Sequence, residues 1–228
     1  MTRRVVPLAF SVLAMAALVS GTGRPRHAES QHPSAYRSAY FAATVPGSWA
    51  RYTVTSDRKT ESTYTYRRLP DEEGRAQVEL RTDFLSGASK GTWSTNRYVL
   101  AKSFRLEEDA LSFGKHAERL LMRTDTMAEE QEMPKAALPN VIAAGVDYGR
   151  SVKFAGTETI DGKECDHYTY RYVSKEKNRT IYTGEVWLNA SVPFGLVRET
   201  ASLKPKYGPS SKYSMTLAAM GIDSEKAK

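Results

Sequence analysis

From Gly156 to Thr200 the chain reads GTETIDGKECDHYTYRYVSKEKNRTIYTGEVWLNASVPFGLVRET, and no other stretch limits the fold as tightly. Aromatic and β-branched residues alternate with polar ones, interrupted by Asp161-Gly162 and by the polar run from Ser174 to Arg179. Successive side chains of a strand point to opposite faces, so a period of two with such breaks marks an antiparallel meander. The breaks delimit strands over Val152–Ile160, Glu164–Val173, Thr180–Leu188 and Leu196–Leu203. A last strand over Lys212–Ala218 turns Tyr213, Met215 and Leu217 inward. Asp-Gly between two such runs is a hairpin signal, because both residues accept positive φ.

Upstream the same period recurs. Trp49–Thr55 sets Tyr52 and Val54 on one face, and Thr63–Leu69 does the same with Tyr64 and Tyr66. Ala76–Phe84 aligns Val78, Leu80 and Phe84, and Thr92–Leu100 reads as a further strand. Ser56–Lys59 is a hairpin loop, and Pro70–Gly74 a turn whose proline fixes the entry angle while its glycine takes a positive one. Two segments read as short helices. Ser34–Thr44 repeats Tyr36, Tyr40 and Phe41 at helical spacing and stops before Pro46, and Lys135–Ala144 is interrupted by Pro139. Ala117–Arg123 is rich in helix formers but short, and propensity yields to tertiary context, so Glu118–Thr126 is assigned as a strand.

The N-terminus sets the compartment. Arg3 and Arg4 precede an apolar run from Val5 to Val19, and the small residues Val19-Ser20-Gly21 follow where signal peptidase cuts. That run is short for a membrane span of about 20 residues, so a cleaved signal peptide and a periplasmic or secreted product are expected. No stable transmembrane segment would remain after cleavage. The expected organisation is a signal peptide over 1–21, a flexible lead-in over 22–33, a single β-rich domain over 34–222 and a disordered tail over 223–228. The formal charge of +7 owes four arginines to the first 28 residues, and without them it falls to about +3, ordinary for a soluble domain. Nucleic acid is therefore not an expected partner. Cys165 is the only cysteine, which leaves stability to the core rather than to a disulfide.

Sorted by face, Glu164–Val173 puts Asp166, Tyr168, Tyr170 and Tyr172 on one side and Cys165, His167, Thr169 and Arg171 on the other. In the next strand Tyr182, Val186 and Leu188 oppose Glu185, Trp187 and Asn189. A sheet apolar on one face must bury it against a helix, another sheet, itself or a ligand, and the two short helices look too small to cover about nine strands. Tyrosine stripes also serve as ordinary core and cross-strand pairs. The segment Gly156-Thr157-Glu158-Thr159-Ile160-Asp161-Gly162-Lys163-Glu164-Cys165-Asp166-His167-Tyr168 and the pair Val186-Trp187-Leu188 and Val192-Pro193-Phe194-Gly195-Leu196-Val197-Arg198 carry a resemblance over about a quarter of the chain. Together with the signal peptide, N-terminal helix and long antiparallel sheet, they resemble the LolA/LolB-like lipoprotein-carrier half-barrels.

That resemblance implies a mainly β fold with minor α: a large curved antiparallel sheet forming an incomplete barrel, with short helices over the concave face. It implies acyl chains held on that face, and so a soluble shuttle or sensor for a lipid or other hydrophobic ligand. The residues of this chain placed there are Tyr52, Tyr66, Tyr168, Tyr170, Tyr172, Tyr182, Val186, Leu188 and Met215. The alternative is an envelope interaction or stress-sensing module that takes a polypeptide in its groove or at a sheet edge.

Signals for chemistry are few. Glu164-Cys165-Asp166-His167 is the one dense cluster of reactive types, and Cys165 and His167 share a face. The remaining ligands of a metal site would have to come from His116 or distant carboxylates. A small buried cysteine beside a strand histidine is the preferred reading, and neither an enzyme, a metal nor a cofactor is expected. The acidic run Glu129-Glu130-Gln131-Glu132 reads as a solvated loop edge, and Glu158 and Arg198 as a possible surface pair across the sheet.

Overall fold

The computed structural model describes residues 43–57, 59–104, 116–135, 138, 153–173 and 180–223. The signal peptide, the lead-in and the tail beyond Asp223 lie outside them, as do both expected helices except for residues 43, 44, 135 and 138. The described residues form β1 (Ser48–Ser56), β2 (Lys59–Glu72), β3 (Arg75–Phe84), β4 (Trp93–Leu100), β5 (Ala117–Thr124), β6 (Gln131–Glu132), β7 (Lys153–Ile160), β8 (Lys163–Val173), β9 (Ile181–Leu188), β10 (Leu196–Lys204) and β11 (Ser211–Ile222). All belong to one antiparallel sheet ordered β6-β5-β4-β3-β2-β1-β11-β10-β9-β8-β7. Its two halves are meanders joined where β1 pairs with β11, and its end strands β6 and β7 are not hydrogen-bonded to each other. No helix among the described residues is long and apolar enough to cross a membrane.

Turn chemistry sets the register. Ile160 pairs with Lys163 across Asp161 and Gly162, whose φ values of 49° and 76° suit the tight primed turn that matches strand twist. Glu72 pairs with Arg75 in the same way across Glu73 and Gly74, at φ 51° and 75°. Here the expectation needs correction, because Pro70 and Asp71 belong to β2 and the turn is only Glu73-Gly74. The proline sits where the β2–β3 register shifts between Leu69 and Glu72, a place that asks for no ladder donor. Gln131–Glu132, expected as loop, forms a two-residue strand on Leu121 and Met122.

The core lies on one face. Tyr52, Tyr64, Tyr66, Val78, Leu80, Tyr98, Leu100, Leu120, Tyr168, Tyr170, Val186, Leu188 and Met215 form a continuous buried cluster reaching from β5 to β8. Each large side chain withdrawn from water contributes roughly 1.5–3 kcal/mol. Phe104, Leu138 and Phe194, which lie outside the strands, pack on the same cluster. The opposite face buries a smaller group: Ile160, Cys165, Trp187, Val192 and Val197.

Candidate ligand-binding face

The sheet brings the expected ligand-face residues together. Tyr52, Tyr66, Tyr168, Tyr170, Val186, Leu188 and Met215 all belong to the large cluster, and Tyr182 packs against it partly buried. Tyr172 stands opposite Tyr182 in register, and its side chain lies outside the described set. The face is closed to solvent, with Tyr52 and Met215 each 1 % exposed and Val186 fully buried. Burial also holds the phenols neutral: it raises the pKa of Tyr52 and Tyr66 well above the ordinary value and pushes Tyr98 up to about 12.

Ring geometry ties the face to its cover. Tyr52 and Tyr66 meet edge to face at 5.9 Å, and Tyr66 meets Phe194 at 5.6 Å. The Tyr52 hydroxyl donates to the Leu196 carbonyl oxygen at 3.0 Å. Phe194 reaches the face because the loop from β9 to β10 turns through two positive φ values, 64° at Phe194 and 73° at Gly195. Only glycine adopts that region without cost, and the Phe194 N–H donates to Thr44 Oγ1 at 2.7 Å to hold it there.

A polar centre that the sequence reading missed sits in the middle of the face. Glu199 is fully buried, and its Oε1 accepts from the Tyr170 hydroxyl at 2.7 Å and the Tyr213 hydroxyl at 2.8 Å. Gly184 and Ala201, paired across β9 and β10, leave room for those rings. A Cβ on Gly184 would lie 2.5 Å from Tyr170 Cζ. The signal was hidden by a register shift between Leu196 and Arg198. Counting by twos from Leu196 sends Glu199 outward, whereas the extra residue at Val197 returns Glu199, Ala201 and Leu203 to the inner face.

Cys165 and His167 do share the other face, but the thiol donates to the Lys163 carbonyl oxygen at 3.3 Å, and burial pushes its pKa up. His167 stacks on Trp187 at 4.6 Å and 10°. Glu158 receives both the His167 Nδ1 contact at 2.8 Å and the Trp187 indole N–H at 3.0 Å. It is therefore not the partner of Arg198, which lies 3.8 Å from Asp161 instead. The hairpin turn brings Asp161 within reach of β10, and a carboxylate already bound to two neighbours has little left to offer. No group of three or more His, Cys, Asp or Glu residues suited to a metal ion occurs among the described residues. A buried thiol of raised pKa should resist a disulfide reagent in the folded protein and react on unfolding, with a rate ratio of about a hundredfold or more. Equal rates with and without urea would show that Cys165 is accessible.

Two cavities flank this architecture. One, of about 770 Å³, lies at β8 to β11 and β1 and is lined by Thr169, Thr183, Glu185, Thr200, Ser202 and Ser214 together with Tyr170, Gly184, Ala201 and Tyr213. The other, of about 580 Å³, opens beside Leu138 and is rimmed by Glu72, Arg75, Glu118, Arg119, Glu132 and Lys135.

The sequence matches no protein-family model and none of the curated proteins. Several solved structures align with it at low scores. The lipoprotein LppX of Mycobacterium tuberculosis is 13 % identical, with 80 % of this chain and 92 % of that one aligned at a TM-score of 0.38. MucB is also 13 % identical, aligning over 88 % of this chain and 63 % of its own at 0.39. A domain of Vibrio parahaemolyticus assigned to outer membrane lipoprotein sorting is 8 % identical, over 83 % and 90 %, at 0.34. At such scores, function has to be read from the residues of this chain.

Proposed function

We propose that this chain is an exported protein that binds a lipid or another hydrophobic molecule on the tyrosine-lined face of its open sheet, as a carrier or sensor. The observation that supports this most is the unbroken apolar face itself. The apolar face runs without a break from β5 to β8, and Phe104, Leu138 and Phe194 pack on it from outside the strands. A sheet whose end strands are unjoined can widen without breaking a ladder, and loop contacts are the first to open in a folded protein. An acyl chain would take the place of these side chains. The apolar segment behind Arg3 and Arg4 supports export.

Titration of the purified protein with an environment-sensitive fluorescent fatty acid tests the reading. Saturable binding in the micromolar range is expected, weakened at least tenfold by Val186→Trp, which fills the face, and unchanged by Thr183→Val on the opposite side. Absence of saturable uptake by the native protein would overturn it.

A further inference from the structure

The outward side of β1 to β5 carries a feature that the ligand reading leaves unused and that stands without it. Pairing across these five strands lines up Arg51, Thr65, Arg81, Thr95 and Arg123 in one row. The next row is Trp49, Arg67, Glu79, Arg97 and Leu121. The Trp93 ring lies between two guanidiniums, Arg81 at 4.9 Å and Arg123 at 5.7 Å from its centroid. Arg51 lies 5.8 Å from the Trp49 ring, which is itself laid over Gly221, where a Cβ would come within 3.0 Å of the indole.

The charges on this face do not cancel, although Glu79 stands in register between Arg67 and Arg97: five arginines face the three carboxylates Glu79, Asp83 and Glu130. Arg81 is held by Asp83, at 2.9 and 2.8 Å, and Arg97 by Glu130. No described carboxylate lies within ion-pair distance of Arg51, Arg67 or Arg123, and Arg51 and Arg123 are exposed. Five adjacent strands at about 4.8 Å spacing make a platform roughly 20 Å across. None of Trp49, Arg51, Arg67, Arg81, Trp93 and Arg123 lines either of the two cavities described above. Indoles paired with guanidiniums match the headgroup layer of a bilayer, where the ring enters the interface and the cation meets phosphate. We infer that this arginine–tryptophan face docks the protein on an anionic phospholipid surface.

The test is co-sedimentation of the full chain with vesicles of phosphatidylcholine alone and of phosphatidylcholine mixed with phosphatidylglycerol. The ratio of the two affinities is the readout, because the apolar segment Val5–Val19 can enter either membrane. The inference expects a preference of at least tenfold for the anionic vesicles. Arg51→Gln/Arg67→Gln/Arg123→Gln should abolish it, and lysine at the same positions should retain most of it. Lys204→Gln/Lys206→Gln/Lys212→Gln, an equal charge change elsewhere, should leave it intact. Should the triple arginine variant not fold, Arg51→Gln/Arg123→Gln, confined to exposed side chains, carries the test with a loss of several-fold. A ratio near one, an equal loss in the lysine-to-glutamine control, or tight heparin binding without vesicle preference would overturn the inference.

Discussion

Gly184→Ala is expected to destabilise the protein by about 3 kcal/mol, read as a lowered urea midpoint at unchanged slope. The expectation is sharp because strand propensity points the other way. Glycine weakens a strand interior, and alanine in its place restricts the unfolded chain, so backbone effects alone predict a gain. What decides the sign is space. The added methyl would collide with the Tyr170 phenol on one side and the Thr200 carbonyl oxygen on the other, and the backbone oxygen cannot swing away without opening the β9–β10 ladder. Moving the Tyr170 ring in turn breaks its hydrogen bond to Glu199. Tyr170→Leu added to Gly184→Ala should recover part of the loss, since one of the two collisions is relieved. An unchanged or raised midpoint in Gly184→Ala would mean that the ring does not lie over the glycine.

Glu199→Leu is expected to cost about 2–4 kcal/mol, while Glu199→Gln, which keeps an acceptor oxygen, should cost markedly less. The carboxylate is fully buried, and the hydroxyls of Tyr170 and Tyr213 both donate to one of its oxygens. Replacing the acceptor by an apolar group leaves two donors facing it, and a buried donor without an acceptor loses its full hydration energy. Glu199→Leu/Tyr170→Phe/Tyr213→Phe removes donors and acceptor together. It should therefore be more stable than Glu199→Leu alone, although it carries more substitutions. Additive losses across the set would show that the three groups do not act as a unit.

Much of the sheet was legible in the chain because its strands obey a period of two and its turns use Asp-Gly and Glu-Gly pairs. The strand at Ala117–Thr124 shows pattern winning over propensity: its helix-forming residues pair with β4, with Leu120 against Tyr98 and Leu121 against Arg97. Other features were hidden for definite reasons. Glu199 depends on a one-residue register shift, and such a slip changes the face of every later side chain. The arginine rows exist only after five strands are set in register, since consecutive members are many residues apart in sequence. Pro70 misled because a proline suggests a turn, yet a register shift in a strand also leaves its missing N–H without consequence. The tyrosine face lies between these cases. Tyr168, Tyr170 and Tyr182 were assigned to it from alternation, but sequence gave no sign that loop side chains such as Phe194 lie on it.

Whether the tyrosine face takes up a hydrophobic ligand is tested most directly by native mass spectrometry of the protein isolated from its own compartment. The reading predicts a species heavier than the chain by the mass of one lipid or other apolar molecule, released on unfolding and reduced by Val186→Trp. A folded protein carrying no such mass in repeated preparations, and acquiring none when incubated with envelope lipid extract, would contradict it.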